Sequence, residues 1–429
     1  MELSSRVKHT KHSATLAINE FAKNLRAKGE TLLHMGFGES PFPVNQSVRE
    51  ALCNNADQKS YLSSQGILPL RKQISTFYRV MFNLEYLPEQ IVVGPGSKTL
   101  IYAALLSLEG PLLLPAPSWV SYQHQAKLVG KETFSLKTMY EDSYRLQVRT
   151  LERKLSEMDY SRDQQKILLL NYPNNPTGHE YSAADLKTLT TVAQENNIIV
   201  ISDEIYGLIS YGDNVHQSIA KYYPEGTIVT GGMAKDRSLG GYRMGVMLVP
   251  ESEETLVDAI SSIASETWSC VAAPVQYAAI EGYSTASTMV NYIKDCASIH
   301  EIMTKYVHNR LDSADIRCPA PEGAFYLLPD WNKHRASLQE RGVSTSKELA
   351  QFFLKNLGVV SLPGSEFGMP EQDLCLRLAS VDYDGASALE NFLNSKDRIH
   401  KNHQEFIMTV APRVVAACDR ITSFTESLD

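Results

Sequence analysis

From about residue 90 to residue 250 the chain alternates short, almost wholly apolar runs with longer amphipathic stretches. The runs read QIVVG, GPLLLPAP, KILLLNYP, NIIVISDEIY, GTIVTGG and GVMLVP. A strand that is apolar at every position is buried on both faces, so these runs predict a largely parallel sheet covered by helices on each side, an α/β fold. Between two of them, SAADLKTLTTVAQEN carries Leu186, Leu189, Val192 and Ala193 on one helical face, with Ser182 as its N-cap. Nearer the N-terminus, residues 14–28 hold Leu16, Ile18, Phe21, Ala22 and Leu25 at roughly helical spacing and stop at Gly29. The following LLHMGFGESPFP predicts a short strand breaking into a Gly/Pro loop.

The pattern changes near residue 285. A long helical stretch, TMVNYIKDCASIHEIMTKYVHNRL, leads into EGAFYLLPD, GVVSLPGSEFG and LCLRLAS, a smaller alternation of helices and strands. Residues 41–285 therefore read as the larger domain and 286–429 as a smaller one. In the tail beyond 395, Phe406, Val410, Val414, Cys418 and Ile421 recur at near-helical intervals, and Pro412 is expected to kink or restart that helix.

Composition narrows the class without naming a function. At 429 residues the chain is too long for one small core, and 43% hydrophobic with 21% charged residues is ordinary for a soluble globular protein. A net charge of -8 disfavours a general nucleic-acid surface. Six scattered cysteines without a C-x-x-C pair fit reduced thiols better than disulfides or a zinc site, and no metal site is expected. The polar start MELSSRVKHTKHSA lacks a signal-peptide apolar stretch, and no apolar run is long enough to cross a bilayer. The expectation is a cytoplasmic protein with no membrane or nucleic-acid partner.

In parallel sheets ligands sit beyond the carboxyl ends of the strands, so the polar residues after the apolar runs form the candidate site. After IVV comes GPGSKT and a helical stretch, where the amides of Gly96, Ser97 and Lys98 can face an anion. A glycine turn before a helix is usually only a turn. After KILLL comes NYPNNPTG, whose Asn174 and Asn175 offer amides and which alone reads as a connecting loop. After NIIVI comes SDEIY, with Asp203 at the strand mouth and Tyr206 three residues on; a lone strand-end aspartate is more often a cap or ion-pair partner. After GTIVT comes GGMAK, with Lys235 and then Arg243. An amine at the end of an apolar strand is costly if charged and unpaired, so Lys235 is either paired with an acid or kept as a nucleophile. Phosphate cradle, acid, phenol, amide, lysine and arginine on one sheet edge suit pyridoxal 5'-phosphate, whose enzymes hold the aldehyde on a lysine and pair the ring nitrogen with an acid.

NNPTG, SDEIY, and Lys235 followed eight residues later by an arginine occur here in the order of the class I/II aminotransferases, the fold type I pyridoxal-phosphate enzymes. The chain resembles that family over nearly its whole length. YLSSQGILPLRKQIS is similar to its Tyr…Gly-x-x-x-Leu-Arg segment, and GAFYLLPD, LPGSEFG and LRLAS to its small-domain landmarks. The resemblance implies that Lys235 carries the cofactor and shuttles the proton, that Asp203 pairs with the pyridine nitrogen, and that Tyr206 and Asn175 contact the ring oxygen. It assigns the phosphate to Arg243 and the Gly96, Ser97 and Lys98 amides, the ring face to Trp119, and the substrate α-carboxylate to Arg377. Gly38 lies in the loop implied to close over the substrate, residues 1–40 join the small domain, and Tyr61 reaches the phosphate of a partner subunit in a homodimer. A plain core residue is the alternative for Trp119.

Some positions depart from the family. The hydroxyl residues it often places three before or one before the lysine are Gly232 and Ala234 here, so one phosphate contact is missing or supplied elsewhere. Its Thr-Gly-Trp-Arg reads GGYR, with Tyr242 in place of the tryptophan, and the tail beyond 395 is longer than the family needs. The N-terminal segment is similar to the prokaryotic-type aspartate aminotransferase branch. There Lys98, with Ser13 and Thr15, would receive a second substrate carboxylate, favouring aspartate by about 1.5–3 kcal/mol. A Lys98 side chain turned to solvent or to a local acid is the alternative, which leaves aromatic, alanine, branched-chain and prephenate-type substrates open. A β-lyase on the same scaffold shares Lys235, Asp203 and Arg377. A cofactor-binding regulator ranks last, because no basic DNA-reading domain precedes the fold.

Overall fold

The computed structural model describes residues 31–212, 215–399 and 402–428, with residues 2, 4, 7, 8, 24, 27 and 29 besides. The helix expected over 14–28, with Thr15 in it and Ser13 just before it, falls almost wholly outside these described residues.

The described residues form twelve strands: β1 (Leu33–His34), β2 (Ile91–Gly94), β3 (Leu112–Ala116), β4 (Thr133–Lys137), β5 (Lys166–Asn171), β6 (Ile198–Asp203), β7 (Thr227–Gly232), β8 (Gly245–Leu248), β9 (Tyr326–Leu327), β10 (Val359–Val360), β11 (Leu362–Pro363) and β12 (Leu376–Ala379). Seven of them form one sheet in the order β2-β8-β7-β6-β5-β3-β4. β4–β3–β5–β6–β7 pair in parallel, whereas β8 is antiparallel to both β7 and β2. No crossover helix stands between β7 and β8, only a loop with one short 3-10 turn, and a parallel return would have needed a helix-length connection. One consequence matters for the site: the start of β8 lies at the same edge as the carboxyl ends of the parallel strands. Asn171 pairs with Asp203, Asp203 with Thr230, and Gly232 with Gly245, which pairs with Gly94.

Successive residues of the central strands serve opposite faces. Ile167 and Leu169 of β5 pack with Leu100, Ile101 and Leu105 of the helix Ser97–Ser107 and with Ile260 of Glu254–Thr267. Leu168 and Leu170 pack with Leu186, Leu189 and Val192 of the helix Ala183–Glu195. Ser182 caps that helix in a reciprocal box with Asp185. β4 was not among the apolar runs, because TFSLK is an edge strand that buries Leu136 and exposes Ser135 and Lys137.

The C-terminal part carries two small sheets. β1 pairs in parallel with β10, so residues near the N-terminus join the C-terminal part, and β11-β12-β9 form an antiparallel trio. The helix Ser287–Ser313 packs against Gly385–Asn394 and Pro412–Glu426. Pro412 restarts the tail: His403–Val410 ends at Ala411, and the proline takes the first turn of the next helix, where its missing N–H costs nothing.

Candidate active site

A cavity of about 520 Å³ opens at the strand-end edge of the large sheet. Its lining includes Gly38, Gly96, Ser97, Lys98, Trp119, Asn175, Asp203, Tyr206, Lys235, Arg243 and Arg377. Tyr61 does not line it; that side chain is 92% exposed on the single chain.

Lys235 follows β7 by three residues and is half-buried, with its Nζ donating to the Gly38 carbonyl at 2.5 Å. Among the described residues it has no acid partner, and its Nζ stands 5.7 Å from the centres of the Tyr206 and Phe325 rings. Asp203, by contrast, is 2% exposed at the end of β6. The segment after it is a turn, so it caps no helix, and hydroxyls rather than a cation hold it: Tyr122 donates to Oδ2 at 2.6 Å and Thr230 to Oδ1 at 3.3 Å. Burial pushes the Asp203 carboxyl up to about 6, against the opposing pull of hydrogen bonds from Tyr122, the Ile205 amide and Thr230.

Anion-binding features lie at the β2 end of the cavity. Gly96 precedes the helix Ser97–Ser107 with φ +89° and offers no side-chain cap, which leaves the Ser97 and Lys98 amides for an anion; the Gly96 amide, expected beside them, is instead taken by the Gly94 carbonyl at 2.7 Å, because the tight glycine turn closes on itself. A Cβ at Gly96 would sit 2.5 Å from an Arg243 terminal nitrogen, and one at Gly245 only 2.3 Å from the Ser97 amide nitrogen. Glycine at both places lets the arginine, the strand and the helix terminus converge. Arg243 is exposed on the single chain and donates to the Gly240 carbonyl at 2.9 Å. The Lys98 Nζ stands 4.9 Å from the Trp119 ring centre. Burial lowers its pKa, and Arg243 and Lys235 add to that. The residue lines the cavity. Trp119 itself is half-buried and meets Tyr122 edge-on at 5.2 Å.

Arg377, on β12, is fully buried. Its terminal nitrogens donate to Asn175 Oδ1 at 3.2 Å and to the Gly36 carbonyl at 2.5 Å, and its plane lies against Tyr326 and Phe367 at 4.6 and 5.1 Å. Among the described residues its buried Nε has no hydrogen-bond partner. A guanidinium left one acceptor short inside a cavity is suited to an incoming carboxylate. Burial depresses its pKa, with the nearby Tyr326 and Tyr206 acting the other way.

Among the cavity residues that escaped the sequence reading, three make hydrogen bonds that organise the site. Asn171 ties the edge together, donating to the Asp203 carbonyl at 2.9 Å and accepting from the Asn175 amide at 2.9 Å. Tyr122 sits three residues after Trp119, and its reach to Asp203 spans 81 positions with no local signal. Tyr326 stood within GAFYLLPD only as a landmark; its hydroxyl lies 2.9 Å from that of Tyr206.

These residues fit pyridoxal phosphate on three counts. An uncapped helix terminus with Arg243 is ready for a phosphate, a buried carboxylate for a ring nitrogen, and an acid-free lysine for an aldehyde. Comparison with known proteins agrees. The model of aminotransferase class I and II, a family whose members use pyridoxal phosphate, matches residues 30–384. The chain is 31% identical over 390 residues to aspartate aminotransferase of Bacillus subtilis, covering 89% of this chain and 96% of that protein. It is 32% identical over 379 residues to a probable aspartate/prephenate aminotransferase of Aquifex aeolicus, covering 86% and 92%. Its fold superposes on Thermus thermophilus aspartate aminotransferase with maleate at a TM-score of 0.83, with 23% identity and 99% of each chain covered. The chain belongs to aminotransferase class I and II, and is a pyridoxal-phosphate-dependent transaminase.

Proposed function

We propose that this transaminase moves the amino group of aspartate, or of a closely similar dicarboxylic amino acid, to a 2-oxo acid such as 2-oxoglutarate, in two half-reactions. The observation that carries the reading is a single cavity with two cations suited to carboxylates: Arg377, with its unpartnered buried Nε, and Lys98, over Trp119. Arg377 takes the α-carboxylate shared by all amino acids, and Lys98 the second carboxylate that distinguishes aspartate.

Bound pyridoxal phosphate supplies an electron sink for the pair left when the substrate loses its Cα proton. Lys235 attaches it and, once displaced by substrate, moves that proton at Nζ. Asp203 pairs with the ring nitrogen, Tyr206 donates to the ring oxygen alongside Asn175, and Trp119 covers the ring face. Arg243 and the Ser97 and Lys98 amides hold the phosphate. The loop at Gly38, whose carbonyl already meets Lys235, closes the site and excludes water. The exposure of Tyr61 and Arg243 on the single chain supports a homodimer in which Tyr61 of one subunit reaches the phosphate bound by the other. Six free cysteines support a reducing, cytoplasmic compartment.

The test is an absorbance titration of the purified protein. Aspartate is expected to remove the visible band of the lysine-bound cofactor, and 2-oxoglutarate to restore it. In Lys98→Gln the KM for aspartate should rise roughly 10- to 100-fold while that for alanine stays unchanged, the loss expected for one charge-assisted hydrogen bond. A band indifferent to aspartate but bleached by another amino acid would reassign the donor. Release of ammonia and pyruvate without an acceptor acid would reassign the reaction to a β-lyase.

A further inference from the structure

Tyr206 and Tyr326 are both sealed from solvent, 3% and 1% exposed, and their hydroxyls lie 2.9 Å apart. Each phenol has one proton, so within the pair one donates and the other accepts. If Tyr206 donated to Tyr326, it would have no proton left for the cavity. If Tyr326 donates, the Tyr206 proton is free to point at a ligand. Two features favour the second arrangement whenever the cavity holds an acceptor. Among the described residues, Tyr206 is the hydrogen-bond partner of the Tyr326 hydroxyl, so Tyr326 has no better use for its proton. The Arg377 guanidinium also lies 4.6 Å from the centre of the Tyr326 ring, and a cation over the ring draws density from the phenol and makes its O–H the stronger donor.

We propose that Tyr326 is a positioning residue: by donating to Tyr206 it aims the Tyr206 proton at the cofactor's ring oxygen and strengthens that bond. This rests on the assignment of Tyr206 under the proposed function. Hydrogen bonds in series polarise one another, so a phenol that accepts a bond donates more strongly through its own proton. The ring oxygen then carries less negative charge, and the neighbouring nitrogen contributed by Lys235 holds its proton less tightly. The packing around the pair is tight enough to keep this geometry. A Cβ on Gly38 would come within 1.9 Å of the Tyr326 hydroxyl, so that hydroxyl is pressed between the closing loop and Tyr206.

The readout is the pH midpoint at which the visible band of the cofactor-loaded protein changes, measured in the wild type, Tyr206→Phe, Tyr326→Phe and the double variant. Phenylalanine at 326 keeps the ring against Arg377 and removes only the hydroxyl. Tyr326→Phe should raise the midpoint by about 0.3–1 pH unit, the range expected for one net hydrogen bond. Tyr206→Phe should raise it further, and the double variant should match Tyr206→Phe alone, because Tyr326 then has no phenol to act on. Gly38→Ala, which displaces the Tyr326 hydroxyl without altering Tyr206, should raise the midpoint in the same direction. A midpoint unchanged in Tyr326→Phe, or a double variant in which the two shifts add, would overturn the assignment while leaving the functional reading intact. Absence of any cofactor band from the wild type would overturn both.

Discussion

Two lysines sit at opposite ends of the same sheet and are used in opposite ways. Lys166 begins β5 and is 2% exposed, and its Nζ donates to the carbonyls of Ser161 and Gln164 at 2.7 Å and of Asn196 at 3.2 Å. Lys235, beyond the carboxyl end of β7, has one carbonyl, that of Gly38, and a cavity in front of it. At the amino edge the connecting loops wrap the ammonium in acceptors until no donor is spare. At the carboxyl edge the loops stand apart to leave a cleft, and the amine there keeps capacity for chemistry. Burial alone therefore does not mark a functional lysine; the number of acceptors left unfilled around it does.

The sharpest way to break this contrast is to delete the spare amine. Lys235→Ala should abolish the visible cofactor band and lower kcat by roughly 10³–10⁴-fold, while unfolding at nearly the wild-type temperature. Substantial transamination in that variant would show that another group moves the proton, and the comparison with Lys166 would lose its meaning.

The contrast was half legible from the sequence. Lys235 stood out because it follows an all-apolar run, and the same rule located Asp203 and Asn175, since strand direction brings such ends to one edge. Lys166 also adjoins an apolar run, ILLL, but at its amino end, where the rule predicts no site. Contacts between distant segments were not legible. The bond from Tyr122 to Asp203, the pairing of Tyr326 with Tyr206 and the unpartnered Nε of Arg377 arise only when loops far apart in sequence meet. The reversal of β8 was equally hidden, because an apolar strand reads the same in either direction. Local signals such as the Ser182 cap and the restart at Pro412 carried through, since they depend on only a few adjacent residues.

A second test sharpens the comparison through the acid on the same edge. In the cofactor-free chain burial raises the Asp203 carboxyl from 3.8 to about 6. The folded-state value lies above the unfolded one, so the stability this group contributes is fully present below about pH 4 and is lost as the pH rises through 6. Pairing with a protonated ring nitrogen needs the ionised carboxylate, so cofactor binding has the opposite preference. Affinity attributable to this pair should fall as the pH drops below 6, by up to about tenfold per unit. Measured by equilibrium binding, the difference between wild type and Asp203→Asn should shrink across that window. A constant difference from pH 4 to 8 would mean that Asp203 does not pair with the ring.

The smallest effect is expected at the other end of the sheet. Lys166→Met keeps most of the side chain's length and apolar packing but removes the donor that serves four carbonyls, those of Ser161, Arg162, Gln164 and Asn196. Acceptors left short of a donor cost about 1–3 kcal/mol, so the melting temperature should fall while kcat and KM stay at wild-type values. The combined Lys166→Met and Lys235→Ala variant should show the two losses independently, stability from one and chemistry from the other, because the two ends of the sheet share no partner. If Lys166→Met instead lowered kcat at unchanged cofactor content, the amino edge would be mechanically coupled to the cavity through β5, whose last residue, Asn171, holds both Asp203 and Asn175. That outcome would replace a division of labour between two edges with a single strand that transmits strain from one to the other.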